Sequence, residues 1–276
     1  MSNSQPTPNR KPLVPQEGWH VLHQIYEIDH GRWEEMLPEE RVAVREEFLE
    51  LTSGVVEGES VQLITFSVVG RADWGLLLTA PSLEEVDRFE KAISRLGSGL
   101  LVRDYSFLSL TEESEYKTSD EEFAVTLERE ERVRPGTAAF EERMKAFQER
   151  MAKYRHERIY PKFGGWEAIC FYPMAKRRGP EQNWYALPYE ERRRLMAGHA
   201  KVGRTYAGRV KQLISGATGL SDWEWGVTLF ANSIDEFKSI IYEMRFDPVT
   251  HTYGEFGPFY IGQILAPEAL ADRLGW

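Results

Sequence analysis

Cysteine is nearly absent: Cys170 is the only one in 276 residues. An intrachain disulfide is therefore excluded, and the chain reads as one that folds in a reducing compartment, taken here as the cytoplasm. Long apolar runs are missing too, so no membrane span is expected. The polar, proline-rich opening MSNSQPTPNRKPLVPQEG lacks the apolar core of a signal peptide, and residues 1–15 read as a disordered tail. Positive charge is in deficit, with 34 Lys+Arg against 44 Asp+Glu and a formal charge of −10. That balance speaks against a general nucleic-acid binder but leaves room for a local cationic pocket that takes an anionic ligand. There is no P-loop, no G-x-G-x-x-G after a strand and no G-x-S-x-G elbow.

What the sequence does contain is a repeat. Residues 74–86 read WGLLLTAPSLEEV and residues 225–237 read WGVTLFANSIDEF, with Trp, Gly, Leu, Ala, Ser and Glu in register. Upstream, QLI at 62–64 recurs at 212–214, one residue further from its Trp-Gly. Alternation and helical spacing predict the same element order around both matches. In the first copy these are a strand at 19–29, a helix at 38–53, strands near 61–69 and 74–80, a helix at 82–95 and a strand at 100–110. In the second they are a strand at 166–175, a helix near 188–202, strands at 209–216 and 223–231, a helix at 233–245 and a strand at 255–265. Ser233 is a capping residue, and Ile234, Phe237, Ile241 and Met244 form one apolar face.

Two β-α-β-β-α-β units follow, each a ferredoxin-like sheet covered by helices on one face. The uncovered faces must meet or enclose something, which predicts an α+β fold: a dimeric α+β barrel within one chain. The expected organisation is a first repeat at 16–112, an acidic linker at 113–157 ending in a surface helix, and a second repeat at 158–276 that carries the site. The linker is too polar for a core and reads as solvated.

The repeat is also an internal control, since residues found in one copy only are not required by the fold. His199 lies in LPYEERRRLMAGHAKVGRTYAG on the face shared by Leu195, Val202 and Tyr206, while Arg192, Arg193 and Arg194 largely face water. A satisfied core histidine and a ligand both fit. No H-x-x-x-H or carboxylate–histidine cluster accompanies it, which is wrong for zinc or non-haem iron, whereas one neutral imidazole in an apolar cavity suits a haem iron. On the strand CFYPMAKRR, Cys170, Tyr172 and Met174 share one side. Tyr172 fits a core tyrosine equally well. Lys176, Arg177, Arg178 and Arg158 could each be solvated surface. Gln212 has an apparent counterpart in Gln62, so the control does not mark it.

The run CFYPMAKRR…NWYALPYEERRRLMAGHAKVGRTYAGRVKQLISG…WEWGVTLF…EFKSIIYEMRFD…YGEFGPFYIGQIL resembles the coproheme decarboxylases. These are peroxide-dependent haem synthases of the chlorite dismutase superfamily, and the likeness is to their Firmicutes-type branch. It is strong over about 158–265 and architectural over 18–112. The resemblance implies a homopentamer of dimeric α+β barrels. It implies His199 as the iron ligand, Tyr172 as the catalytic tyrosine and Gln212 as the distal-side glutamine. Arg158, Pro173, Met174, Ala175, Lys176 and Thr250 sit where the family contacts the porphyrin or its propionates, Thr250 standing where serine is usual. Chlorite-degrading relatives carry an arginine in place of Gln212, which argues against chlorite as substrate.

The implied reaction converts iron coproporphyrin III (coproheme), substrate and redox cofactor at once, to haem b. Hydrogen peroxide is the oxidant, a tyrosyl radical at Tyr172 the hydrogen-atom acceptor, and Lys176 an aid to placing a propionate or moving a proton. A coproporphyrin ferrochelatase would deliver the substrate. The other readings are a chlorite dismutase or peroxidase-like haem enzyme, and a haem-binding barrel without turnover.

Overall fold

A computed structural model describes residues 17–56 and 61–276, so the tail expected at 1–15 lies outside the described residues. The first repeat contains β1 (His20–Ile28), α1 (His30–Glu35), α2 (Pro38–Val56), β2 (Gln62–Val69), β3 (Trp74–Ala80), α3 (Leu83–Ile93) and β4 (Leu101–Thr111). Two helices follow, α4 (Asp120–Arg129) and α5 (Ala138–Ile159). The second repeat contains β5 (Ala168–Lys176), α6 (Tyr189–Arg204), β6 (Lys211–Gly216), β7 (Trp225–Ala231), α7 (Ile234–Met244), α8 (Pro248–Tyr253), β8 (Gly254–Phe256) and β9 (Tyr260–Leu265), and α9 (Pro267–Leu274) ends the chain. The strand expected at 255–265 is broken into β8 and β9, with Gly257 between them donating its N–H to the Pro173 carbonyl at 2.9 Å.

The strands form one sheet in the order β7-β6-β4-β1-β3-β2-β9-β5-β8, and a β7–β5 pairing closes it. Each repeat supplies an antiparallel four-stranded ferredoxin-like unit, and the units join edge to edge through β4–β6 and β2–β9. Closure removes the exposed edges that an open sheet leaves.

The barrel interior is packed. Val21, Ile25, Phe66, Phe107, Phe171, Phe230 and Tyr260 belong to one buried cluster. The recurring Trp-Gly pair now has a physical reason. The tryptophan side chain points outward, and the glycine leaves space for an inward phenylalanine ring. A Cβ on Gly75 would lie 2.5 Å from Phe66 Cζ, and one on Gly226 would lie 2.7 Å from Phe107 Cε1. Polar pairs cross between the copies inside this core: His23 Nε2 to Thr228 Oγ1 at 2.8 Å, and Ser109 to Ser215 at 2.8 Å. His23 also stacks on Phe171 with centroids 4.0 Å apart, and burial lowers its pKa to about 3, so the ring is neutral. The inner faces of the two repeats meet, and any site lies outside the barrel, between strands and helices.

Three expectations need correction. The acidic linker expected at 113–157 does end in a surface helix, α5, and is largely exposed, but it is not wholly solvated: α4 packs on α5, with Phe123 stacked on Phe147 at 4.1 Å and Leu127 buried. Arg192 is buried and Arg193 half-buried rather than facing water, because this segment supplies their acidic partners, whereas Arg194 stays exposed. On α7, Phe237 and Ile240 form the buried face, whereas Ile234 is 60% exposed.

Replacing Gly226 with alanine should overpack the interior and destabilise the fold by about 1–3 kcal/mol. A denaturant midpoint shift partly recovered by adding Phe107→Leu is the expected result, and an unshifted midpoint would show that the interior yields.

Candidate functional site

In the first repeat α2 closes down on its sheet. Val44, Phe48 and Thr52 recur at helical spacing and are buried, and Phe48 meets Trp74 and Trp276 edge-on with centroids 5.6 and 5.1 Å away. In the second repeat α6 stands off. Its neighbouring elements are chiefly α7 and α8, and Arg192 is its one buried residue. Leu195, Met196, His199 and Val202 stay partly exposed on the helix, as do Met174, Gln212, Ile214 and Trp225 on the strands. The second copy thus has a partly open, largely apolar slot where the first copy has packed core.

His199 presents its ring at the helix side of this slot. Its Nδ1 lies 2.9 Å from Asp247 Oδ2. Asp247 caps α8 and also accepts from the Thr250 amide at 3.1 Å and the Thr250 hydroxyl at 3.2 Å. Burial raises the Asp247 carboxyl, but the bonds from His199 and Thr250 outweigh it and hold the group below the usual carboxylate range. An ionised Asp247 keeps the proton on Nδ1 and leaves Nε2 with a free lone pair for a metal. Among the described residues, no group of three or more His, Cys, Asp or Glu could hold a metal ion. A single imidazole therefore suits a metal whose remaining ligands come from elsewhere, as in a porphyrin.

Strand β5 contributes the opposite wall. Cys170, Tyr172, Met174 and Lys176 alternate onto its outer face, and Tyr172 stacks on Phe259 with centroids 4.4 Å apart. Burial raises the Tyr172 phenol above its ordinary pKa; Cys170 adds to this, and Arg245, whose guanidinium lies 4.4 Å from the Phe256 ring centroid, opposes it. Tyr172 therefore keeps its proton at neutral pH. Lys176 is buried, with its ammonium 5.0 Å from the Trp184 ring centroid and its backbone N–H bonded to Glu224 at 2.7 Å. Burial lowers its pKa to about 8, against the pull of Asp247 and Glu224.

Gln212 reverses an expectation. Gln62 pairs with Thr79 in β3, while Gln212 pairs with Leu229, the counterpart of Leu78. The residue that takes the place of Gln212 in the first copy is therefore Leu63. The two QLI runs are one residue out of register, which puts their side chains on opposite faces. Gln62 donates to the Pro161 carbonyl at 2.9 Å, whereas Gln212 faces α6 beside Gly203, 3.6 Å from where a Cβ on that glycine would sit. Properly registered, the internal control marks Gln212 as special to the second copy.

Other candidates divide. Arg158 lies in the last turn of α5, and its buried Nε has no hydrogen-bond partner among the described residues. Its charge reaches Glu112, which accepts from Trp225 Nε1 at 3.0 Å. Pro173 and Ala175 alternate to the other face of β5, so their side chains do not line the slot. The Thr250 hydroxyl serves Asp247. Arg177 is spent on Gln182 at 2.6 Å, and Arg178 lies 3.8 Å from Glu224. Asp247, Glu224 and Arg245 were missed from sequence. Only Asp247 carried a signal, as an Asp-Pro pair opening a helix, and that signal marks a cap rather than a histidine partner.

Comparison with known proteins places the chain as a whole. A family profile described as chlorite dismutase matches residues 41–265. A presumptive heme-binding protein of Natronomonas pharaonis is 37% identical over 270 residues, 96% of this chain, and the chain spans 42% of that protein's length. A solved heme-binding protein from Thermus thermophilus is 37% identical with a TM-score of 0.78, covering 97% of this chain and 100% of that one. Chlorite dismutase from Candidatus Nitrospira defluvii in complex with imidazole shares the fold at 18% identity, with a TM-score of 0.68 over 96% of this chain and 98% of that one. The chain belongs to the chlorite dismutase family.

Proposed function

We propose that the protein binds iron coproporphyrin III in the α6–sheet slot and oxidatively decarboxylates two of its propionates to vinyl groups, giving haem b. The observation that carries this reading is the slot itself, open only in the repeat that holds His199, Tyr172, Lys176 and Gln212. The heme-binding relatives support a porphyrin as occupant. His199 would hold the iron through Nε2, with Asp247 fixing the ring. Arg158, whose buried Nε has no partner among the described residues, and Lys176 would hold propionates.

When bound, the iron porphyrin supplies the reaction with peroxide and the oxidising capacity that follows. The chain's own contribution is a protonated phenol placed beside the substrate. Tyr172 gives up an electron and its proton together, then takes a hydrogen atom from the β-carbon of a propionate. Loss of a second electron lets the carboxyl leave as carbon dioxide and the vinyl form. Each turn converts one propionate, one peroxide and one proton into one vinyl, one carbon dioxide and two waters. Gln212 is neutral and offers no charge for cleaving chlorite, which favours this reading over a chlorite dismutase.

The direct test loads the protein with iron coproporphyrin III, titrates peroxide anaerobically and follows porphyrin mass. Successive loss of two carboxyl groups is expected; an intact porphyrin after several equivalents would leave a haem-binding protein without this activity. Tyr172→Phe should still bind the porphyrin but form neither product, whereas abundant haem b would move the radical to another residue such as Trp184. His199→Ala should abolish the imidazole-ligated spectrum.

The Lys176 ammonium, with its pKa lowered to about 8, is a cation below that pH and is lost above it. Porphyrin affinity should therefore fall about tenfold as pH rises through 8, the weight of one charge-assisted hydrogen bond. Lys176→Arg, always charged, should remove that step. A pH-independent Kd in the unmodified protein would show that Lys176 holds no carboxylate.

A further inference from the structure

Without sheet contacts like those of α2, helix α6 is held at its two ends. Its C-terminal half is tied by the His199–Asp247 bond and by Gly203, which sits beside Met244 of α7. Its N-terminal half meets the acidic segment 112–122. Tyr189 donates its hydroxyl to the Glu115 carbonyl at 2.9 Å, and its ring stacks on Tyr116 with centroids 6.0 Å apart. Arg192, only 3% exposed, lies 3.8 Å from Glu115. Arg193 makes two bonds to Glu122, at 2.5 and 2.8 Å. Glu122 also completes the capping box of α4 with Ser119, and α4 is packed on α5, so the segment is itself anchored.

We infer that segment 112–122 is a strap that sets how far α6 stands from the sheet, and that Glu122 and Arg193 are positioning residues for His199, acting through the helix. Arg192 precedes His199 by about two helical turns, which puts the two on one face. A helix clamped there carries any displacement of its first turns to the imidazole. The strap is largely held by charge, and its Glu122–Arg193 pair is partly exposed, so salt weakens it. The inference rests on the reading of His199 as iron ligand.

The test uses the full chain and its Glu122→Gln, Arg193→Ala and Arg193→Lys variants, each loaded with ferric haem b. Glutamine keeps the capping box while removing the charge, and a partly exposed pair contributes little to global stability. Unfolding midpoints should therefore match. Haem transfer to apomyoglobin should be at least fivefold faster in Glu122→Gln and Arg193→Ala, and within twofold of the parent in Arg193→Lys. Added salt should speed release from the parent but not from Arg193→Ala. Parent-like release from both weakened variants, or no rescue by lysine, overturns the strap. If the parent itself shows no imidazole-ligated haem, the reading of His199 fails and the strap is judged on amide exchange over 189–199. Faster exchange in Arg193→Ala then sustains it, and unchanged exchange overturns it.

Discussion

The hydrogen bond between His199 on α6 and Asp247 at the start of α8 joins a helix that does not rest on its sheet to the capped end of a short second helix. A ferredoxin-like repeat normally buries the apolar face of each helix against strands, and α2 does so through Val44 and Phe48. Helix α6 gives up that burial. Its inner face must then be fixed by polar bonds at its flanks, and the space below it is left for something else. The orientation of His199, the exposure of Met174 and Gln212 and the use of buried arginine on α6 all follow from that arrangement.

The two copies divide their labour through this difference. The first is filled by its own aromatics, with Trp74 packed among Tyr26, Phe48 and Trp276. The second keeps the corresponding Trp225 partly exposed and bonded to Glu112. Inside the barrel the copies are not separable, since His23 of one bonds Thr228 of the other and phenylalanines from both fill a single core. The shared interior supplies stability, and the outer face of one copy is left unfilled by its own side chains.

Much of this was legible in the sequence. Repeat, strand and helix order and the shared face of Tyr172 and Met174 are set by period and pattern, which survive without knowledge of long-range partners. Three things were not legible. The QLI match suggested that Gln62 and Gln212 were equivalent, because residue identity reveals nothing of cross-strand register. The acidic segment and Arg192 and Arg193 of α6 were read as solvated, although together they form one interface. Charge composition cannot reveal a partner distant in the chain. Asp247 looked like a helix cap, which it is; that the same carboxylate also serves a histidine 48 residues away needed the structure.

The two seams that close the barrel are unequal. Strands β2 and β9 pair over five positions, whereas β4 and β6 pair only at Leu110–Gly216 and Thr111–Ser215. Just beyond that short seam, Glu112 of the first copy crosses to Trp225 of the second, its carboxylate lying over Gly216, where a larger residue would have to displace it. The copy without a slot therefore still builds part of its neighbour's floor. A cut or permutation of the chain at this junction would separate more than two folding units, because it would split one wall of the site between them.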